Sequence, residues 1–146
     1  MRAGNCRELN LGQQALALND AVPGGRTWLR PGQLTWSGVV QPTETTQRYR
    51  LRIRLRQGST PSVRVSAPEL KPTVDGLLPH VFCDGSLCLS SSGDWDSSMY
   101  ISSTHLPWAC EWLTFYELWR VCGLWHGDGP NCLDRAWQES ILHPYN

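Results

Sequence analysis

The stretch "RYRLRIRLR", Arg48 to Arg56, alternates without a break, and that alternation decides the fold class. Successive side chains of an extended strand point to opposite faces. Tyr49, Leu51, Ile53 and Leu55 therefore face one way, and Arg48, Arg50, Arg52, Arg54 and Arg56 the other. A strand with one apolar and one charged face belongs to an antiparallel sheet covered on one side and wet on the other. Downstream, the turn "QGSTP" leads into "SVRVSAP", Ser62 to Pro68, with Arg64 on its polar side. Upstream, "LTWSGVV", Leu34 to Val40, alternates in the same way and stops at Pro42. Short connections between three such segments predict an antiparallel meander.

Helices flank it. Arg7 to Asp20 is rich in Leu, Ala and Gln, with Leu9, Leu16 and Ala17 roughly on one face. This predicts an N-terminal helix closed by "VPGG", Val22 to Gly25. From Lys71 to Tyr100 the chain is full of Pro, Gly, Ser and Asp, yet Val81, Phe82, Leu87, Leu89 and Trp95 argue for a packed loop. "HLPWACEWLTFYELWRVCG", His105 to Gly123, reads as a helix with Pro107 in its first turn and Gly123 as its C-terminal cap. Trp108, Trp112, Phe115, Leu118, Trp119 and Cys122 form its expected core stripe. The tail "DRAWQESILHPYN" predicts one more short helix. The class is α+β, and 146 residues suit a single domain spanning 1–146.

Bulk properties narrow the function. Formal net charge is zero, so no global field draws the molecule to nucleic acid or an anionic membrane, and neither is an expected partner. No apolar run reaches the ~18–20 residues of a spanning helix. The start "MRAGNCRELNLGQQ" lacks the apolar core of a secretory signal, so the expected location is cytoplasmic. In that compartment the six cysteines are expected to be reduced, most of them buried. Cys122, His126, Cys132 and His143 fall close together in sequence but lack paired Cys-x-x-Cys spacing, so no metal site is expected. Lys71 is the only lysine among thirteen basic residues.

The loop segment "LPHVFCDGSLCLSSSGDW", Leu78 to Trp95, carries the candidate chemistry. It resembles the active-site segment of ubiquitin-conjugating (E2) enzymes, whose pattern runs His-Pro-Asn, an aliphatic and an aromatic residue, Asp-Gly, Ile/Val-Cys-Leu, then a later Trp. Pro79 stands for the motif's proline, Gly85 for its glycine, Cys88 for the catalytic cysteine and Trp95 for the tryptophan. The spacing from His80 to Cys88 is the family's spacing between asparagine and cysteine. Two motif positions depart: Leu78 replaces the histidine, and His80 the asparagine. The strand segments also resemble the E2 meander. The helix from His105 and its continuation "LWHGDG" look like bacterial E2-like proteins encoded beside antiviral defence genes, including cyclic-oligonucleotide signalling (CBASS) operons.

The resemblance implies the UBC-like fold: an N-terminal helix, a β-meander, a packed active-site loop, a central helix crossing the sheet and a short C-terminal helix. It also implies a carrier that holds a protein C-terminus as a thioester on Cys88. The implied partner is a ubiquitin-like protein or a cGAS-like nucleotidyltransferase, with or without an E1-like activating enzyme, and no cofactor is called for. Cys88 is expected to be accessible as a thiolate. Cys83 is the rival, but Asp84 beside it disfavours a thiolate. His80 is open to three roles: oxyanion donor, acid–base group or loop brace. Asp94 and Asp96 either orient an incoming amine or make Asx-turns, and His105 either assists or simply starts its helix. The arginines from Arg48 to Arg56 are either a solvated, aggregation-resistant face or a dock for an acidic partner, the outer sheet face being a docking place in E2 enzymes. Scarce lysine fits either a GC-rich genome or an enzyme whose thioester would modify its own lysines. A catalytically inactive scaffold, and a cysteine peptidase or deconjugase pairing Cys88 with His80 or His105, are the rival functions.

Overall fold

The structure, a computed structural model, describes residues 8–73, 76, 78–90 and 93–125. The expected C-terminal helix, with Cys6, His126, Cys132 and His143, lies outside the described residues.

Helix α1 spans Leu11–Ala21. It starts later than the composition predicts because Asn10 and Gln13 form a reciprocal capping box. The Gln13 N–H donates to the Asn10 side chain at 2.8 Å, and the Asn10 N–H to the Gln13 side chain at 2.9 Å. Its buried face also differs from the expected one. Gln14, Ala15 and Leu18 turn inward, while Leu16 is 72% exposed. Both ends of the buried Gln14 amide are engaged: it donates to the Met99 carbonyl at 2.8 Å and accepts the Ile101 N–H at 2.9 Å. A polar residue is thus what fastens α1 to the loop before the second helix.

Four strands follow in one antiparallel sheet, ordered as in the chain: β1 Arg26–Arg30, β2 Gln33–Val40, β3 Tyr49–Arg56 and β4 Ser62–Ala67. The predicted meander has three of these; β1 is additional. Strand β3 alternates buried and exposed at every residue, as its sequence dictates. Leu34↔Leu55, Trp36↔Ile53 and Gly38↔Leu51 face inward across β2 and β3. Full burial of a Leu or Ile side chain contributes ~1.5–3 kcal/mol. Trp36 lies so close over the backbone that a Cβ on Gly38 would stand 2.4 Å from its ring, and one on Gly25 2.6 Å away.

A 3₁₀ turn at Ile101–Ser103 leads into α2, His105–Cys122, which Gly123 ends in the left-handed region at φ 78°. The buried face of α2 is His105, Leu106, Ala109, Trp112, Leu113, Tyr116 and Trp119. The expected stripe is therefore corrected: Trp112 and Trp119 are core, Trp108 and Phe115 are half-buried, and Leu118 and Cys122 are exposed. Glu117 ties α2 to the sheet by accepting the Tyr49 hydroxyl at 2.6 Å and the Gln47 N–H at 2.9 Å. Burial, then the Glu117 contact, pushes the Tyr49 phenol well above its ordinary pKa. Among the described residues, no helix is long and apolar enough to cross a membrane.

Candidate functional site

The cysteine loop is a tight finger hung on the sheet edge. Val81 and Leu87 form an antiparallel bridge, and between them the chain reverses. The Gly85 N–H donates to the Phe82 carbonyl at 2.9 Å, and the Phe82 N–H to the Ser86 carbonyl at 2.9 Å. Gly85 has φ 90°, a conformation that a side chain disfavours, so glycine is needed at this turn. Asp84 closes the tip by accepting the Ser86 N–H at 2.9 Å and the Ser86 hydroxyl at 2.6 Å. Those bonds, more than the Arg64 guanidinium 3.7 Å away, lower its carboxyl pKa. The Leu87 N–H donates to the Val63 carbonyl at 2.8 Å, anchoring the finger to β4.

Cys83 sits at the exposed tip as a free thiol. Cys88 sits at the base, between Leu87 and Leu89, and here the structure corrects two expectations. Cys88 is 1% exposed, because its buried neighbours draw it in with them, and its sulfur is engaged in a disulfide rather than reduced. Cys110, half-buried on α2, is a free thiol whose pKa burial pushes up. A small apolar-like core residue is its plain role.

His80 and Cys88 are brought together through the backbone. The Cys88 N–H donates to the His80 carbonyl at 2.8 Å, and the Trp112 indole N–H donates to the same carbonyl at 3.2 Å. His80 holds φ 52°, and it is the one non-glycine residue with positive φ among those described. His, Asn and Asp are enriched in this left-handed region. A histidine is thus among the residue types that suit this backbone position. The His80 ring is 4% exposed and packs 5.1 Å from Trp125, which in turn lies 5.4 Å from Trp112. Sequence reasoning missed this aromatic cover; the Trp112 position within the helix stripe was its available signal.

Asp94, Asp96 and His105 sit in the loop before α2 and at the start of that helix. Asp96 accepts the Ser98 N–H at 2.8 Å and the Ser98 hydroxyl, an Asx-turn whose bonds lower its carboxyl pKa. Asp94 is exposed in the same loop. His105 is buried at the start of α2, with Trp95 at 5.9 Å and Trp108 at 5.1 Å. Its Nδ1 lies 3.3 Å from the Thr104 hydroxyl, and burial depresses its pKa to about 4, so it is neutral at pH 7. That describes a helix-start packing residue. Arg50, Arg52, Arg54 and Arg56 all project from the outer sheet face, and Arg48 is exposed just before β3.

A family model described as "Type II CBASS E2 protein" matches residues 14–131, most of the chain. No curated protein matches it.

Proposed function

Because the chain belongs to the type II CBASS E2 protein family, we propose that it is an E2-like conjugating enzyme of antiphage defence that carries a protein C-terminus on Cys88. The observation that carries this reading is the 2.8 Å hydrogen bond from the Cys88 N–H to the His80 carbonyl. It fixes the cysteine against a backbone held in an uncommon conformation, at the motif position of an E2 nucleophile.

Before any transfer, the Cys88 disulfide is reduced by an external dithiol, which supplies two electrons and two protons and is itself oxidised to a disulfide. The Cys88 thiolate then attacks the carbonyl carbon of an activated partner C-terminus, delivered as a thioester. The tetrahedral intermediate collapses, the donor's thiolate leaves, and the acyl group remains on Cys88. An acceptor amine attacks the new thioester, loses one proton and forms an amide, returning Cys88 as a thiol; an acceptor thiol gives a thioester instead. No net redox change accompanies either transfer. His80 acts here as a positioning residue: its carbonyl orients Cys88, and its buried ring locks the loop under Trp125. Candidate donors of the C-terminus are a ubiquitin-like protein or a cGAS-like nucleotidyltransferase, with or without an E1-like enzyme.

One observation favours a second reading. Cys88 is buried and disulfide-bonded, as suits a catalytically inactive scaffold. A peptidase reading finds less support, since His105 is buried and enclosed by Trp95 and Trp108.

The deciding experiment is intact mass spectrometry of the reduced protein co-expressed with its operon partners. A thiol-labile adduct lost in Cys88→Ser supports the carrier. Absence of any adduct, with the partner retained, supports the scaffold, and a shortened partner without an adduct supports the peptidase.

A further inference from the structure

The outer face of the sheet carries more positive charge than β3 alone supplies. Register places Arg26, Trp28 and Arg30 on β1 in line with Ser37, Thr35 and Gln33 on β2. Those in turn stand opposite Arg52, Arg54 and Arg56 on β3, and Arg52 stands opposite Arg64 on β4. With Arg50, seven arginines share this one face. Among the described residues the only ion pair is Arg64 with Asp84, at 3.7 Å. The zero net charge of the chain therefore averages over unlike surfaces rather than describing this one.

Such an arrangement opposes folding. Alternate residues on a strand are ~6.8 Å apart, within the ~8 Å over which salt screens charge at physiological ionic strength. Like charges directly opposite one another, as in Arg52 and Arg64, also destabilise a sheet. A bound anion would relieve both costs.

The face is not only charged. Trp28, Arg30, Gln33, Thr35, Arg52 and Arg54 line a recess of about 280 Å³, and Trp28 is 49% exposed. This volume lies just below the ~300–1,000 Å³ of small-molecule pockets, a scale that suits one monomer unit of a longer chain. Guanidinium groups hold phosphates bidentately, the amide and hydroxyl add hydrogen bonds, and an exposed indole offers a stacking plane. A basic surface that tracks a backbone beside an aromatic stacking platform is how single-stranded nucleic acid is bound without sequence preference. Acidic protein would satisfy the arginines, but carboxylate side chains give the indole no stacking plane, whereas every nucleotide brings a phosphate and a planar base together. In duplex nucleic acid the base faces are already stacked.

We infer that the outer sheet face binds single-stranded nucleic acid, with phosphates on Arg30, Arg50, Arg52 and Arg54 and one base stacked on Trp28. The inference does not rest on the conjugating activity.

Fluorescence anisotropy of a labelled twelve-nucleotide single strand tests it, using the full chain. Neutralising about four phosphates gives a log–log salt slope of about −3, so affinity falls about fiftyfold between 50 and 200 mM salt. Arg52→Gln with Arg54→Gln should lower the slope by about 1.4. Trp28→Ala should weaken binding at least fivefold while leaving an abasic strand of equal length unaffected. Circular dichroism melts check that each variant remains folded. The inference is overturned by no binding at 50 mM salt, or by a Trp28→Ala variant that binds the base-bearing strand like wild type. An oligoglutamate of equal charge binding as tightly as the strand also overturns it, and would assign the face to an acidic protein.

Discussion

Replacing His80 separates its backbone role from a chemical one. Two hydrogen bonds converge on the His80 carbonyl, from Cys88 and Trp112, and both depend on φ 52°. The left-handed conformation costs an ordinary L-residue ~1–2 kcal/mol, a cost that Asn and Asp offset by local hydrogen bonding. His80→Ala retains that cost and removes a ring that is 4% exposed and packed on Trp125. Large-to-small changes at such sites cost ~2–4 kcal/mol. At roughly 3 °C per kcal/mol for a chain of this size, the melting temperature should fall by about 6–12 °C. His80→Asn loses the same ring but suits the backbone, and should recover about 1 kcal/mol of the loss. His80→Gly relieves the conformation entirely and should resemble Asn more than Ala. The assay pairs thermal melts of the three variants with single-turnover transfer by reduced protein at saturating partner. The brace predicts that rate falls in the order of stability and that cooling restores it. If instead His80→Ala melts like wild type while transfer drops ~10²–10³-fold, the ring is an oxyanion donor and the bracing argument fails. A wild-type rate that titrates near pH 6.5, with no activity in His80→Asn, would make it an acid–base group.

Other consequences of the structure are open to similar tests. Cys83→Ala, at the exposed tip of the finger, should leave the adduct intact in the mass experiment, whereas Cys88→Ser removes it; the reverse result would mean the loop is misassigned. Without reductant, wild-type Cys88 should resist alkylation and accept no acyl group, while exposed Cys83 is labelled; prompt labelling of Cys88 itself in unreduced native protein, located by peptide mass spectrometry, would contradict the disulfide. Gly38→Ala should destabilise by roughly 1–3 kcal/mol because its Cβ would stand 2.4 Å from the Trp36 ring; an unchanged urea midpoint would show that the indole has room to move. His105 has a folded pKa of about 4 against 6.5 when unfolded, so the unfolded chain binds more protons between those values. Its contribution is complete above pH 6.5 and declines as pH falls toward 4, by about 3 kcal/mol at most. The wild-type melting temperature should therefore drop more than that of His105→Phe across this window, and parallel curves would rule the effect out.

What the sequence discloses, and what it conceals, depends on how each feature is encoded. Strand β3 is legible because side chains alternate with a period of two, and a one-residue slip that set Arg52 opposite Trp36 would expose the whole apolar set. Strand β1 is not legible: as an edge strand with Trp28 and Leu29 both half exposed, it shows no clean alternation. Helix α2 is legible as a helix but not in its orientation, since aromatic residues lie on two faces and Ala109 and Tyr116 turn inward beside Trp112. The same division runs through the site. The His80-to-Cys88 spacing is a local property, set by the turn that Gly85 permits and the bridge between Val81 and Leu87, so it survives in the motif. Access to the sulfur is not local. It depends on the Val63 carbonyl that draws Leu87 inward and on the oxidation state of Cys88, which no motif spacing indicates. A motif can thus place a nucleophile on the backbone and still be silent about whether its sulfur is open to attack. For an acyl carrier that silence matters, because the oxidised and reduced forms share one sequence but differ in the single group that the chemistry needs.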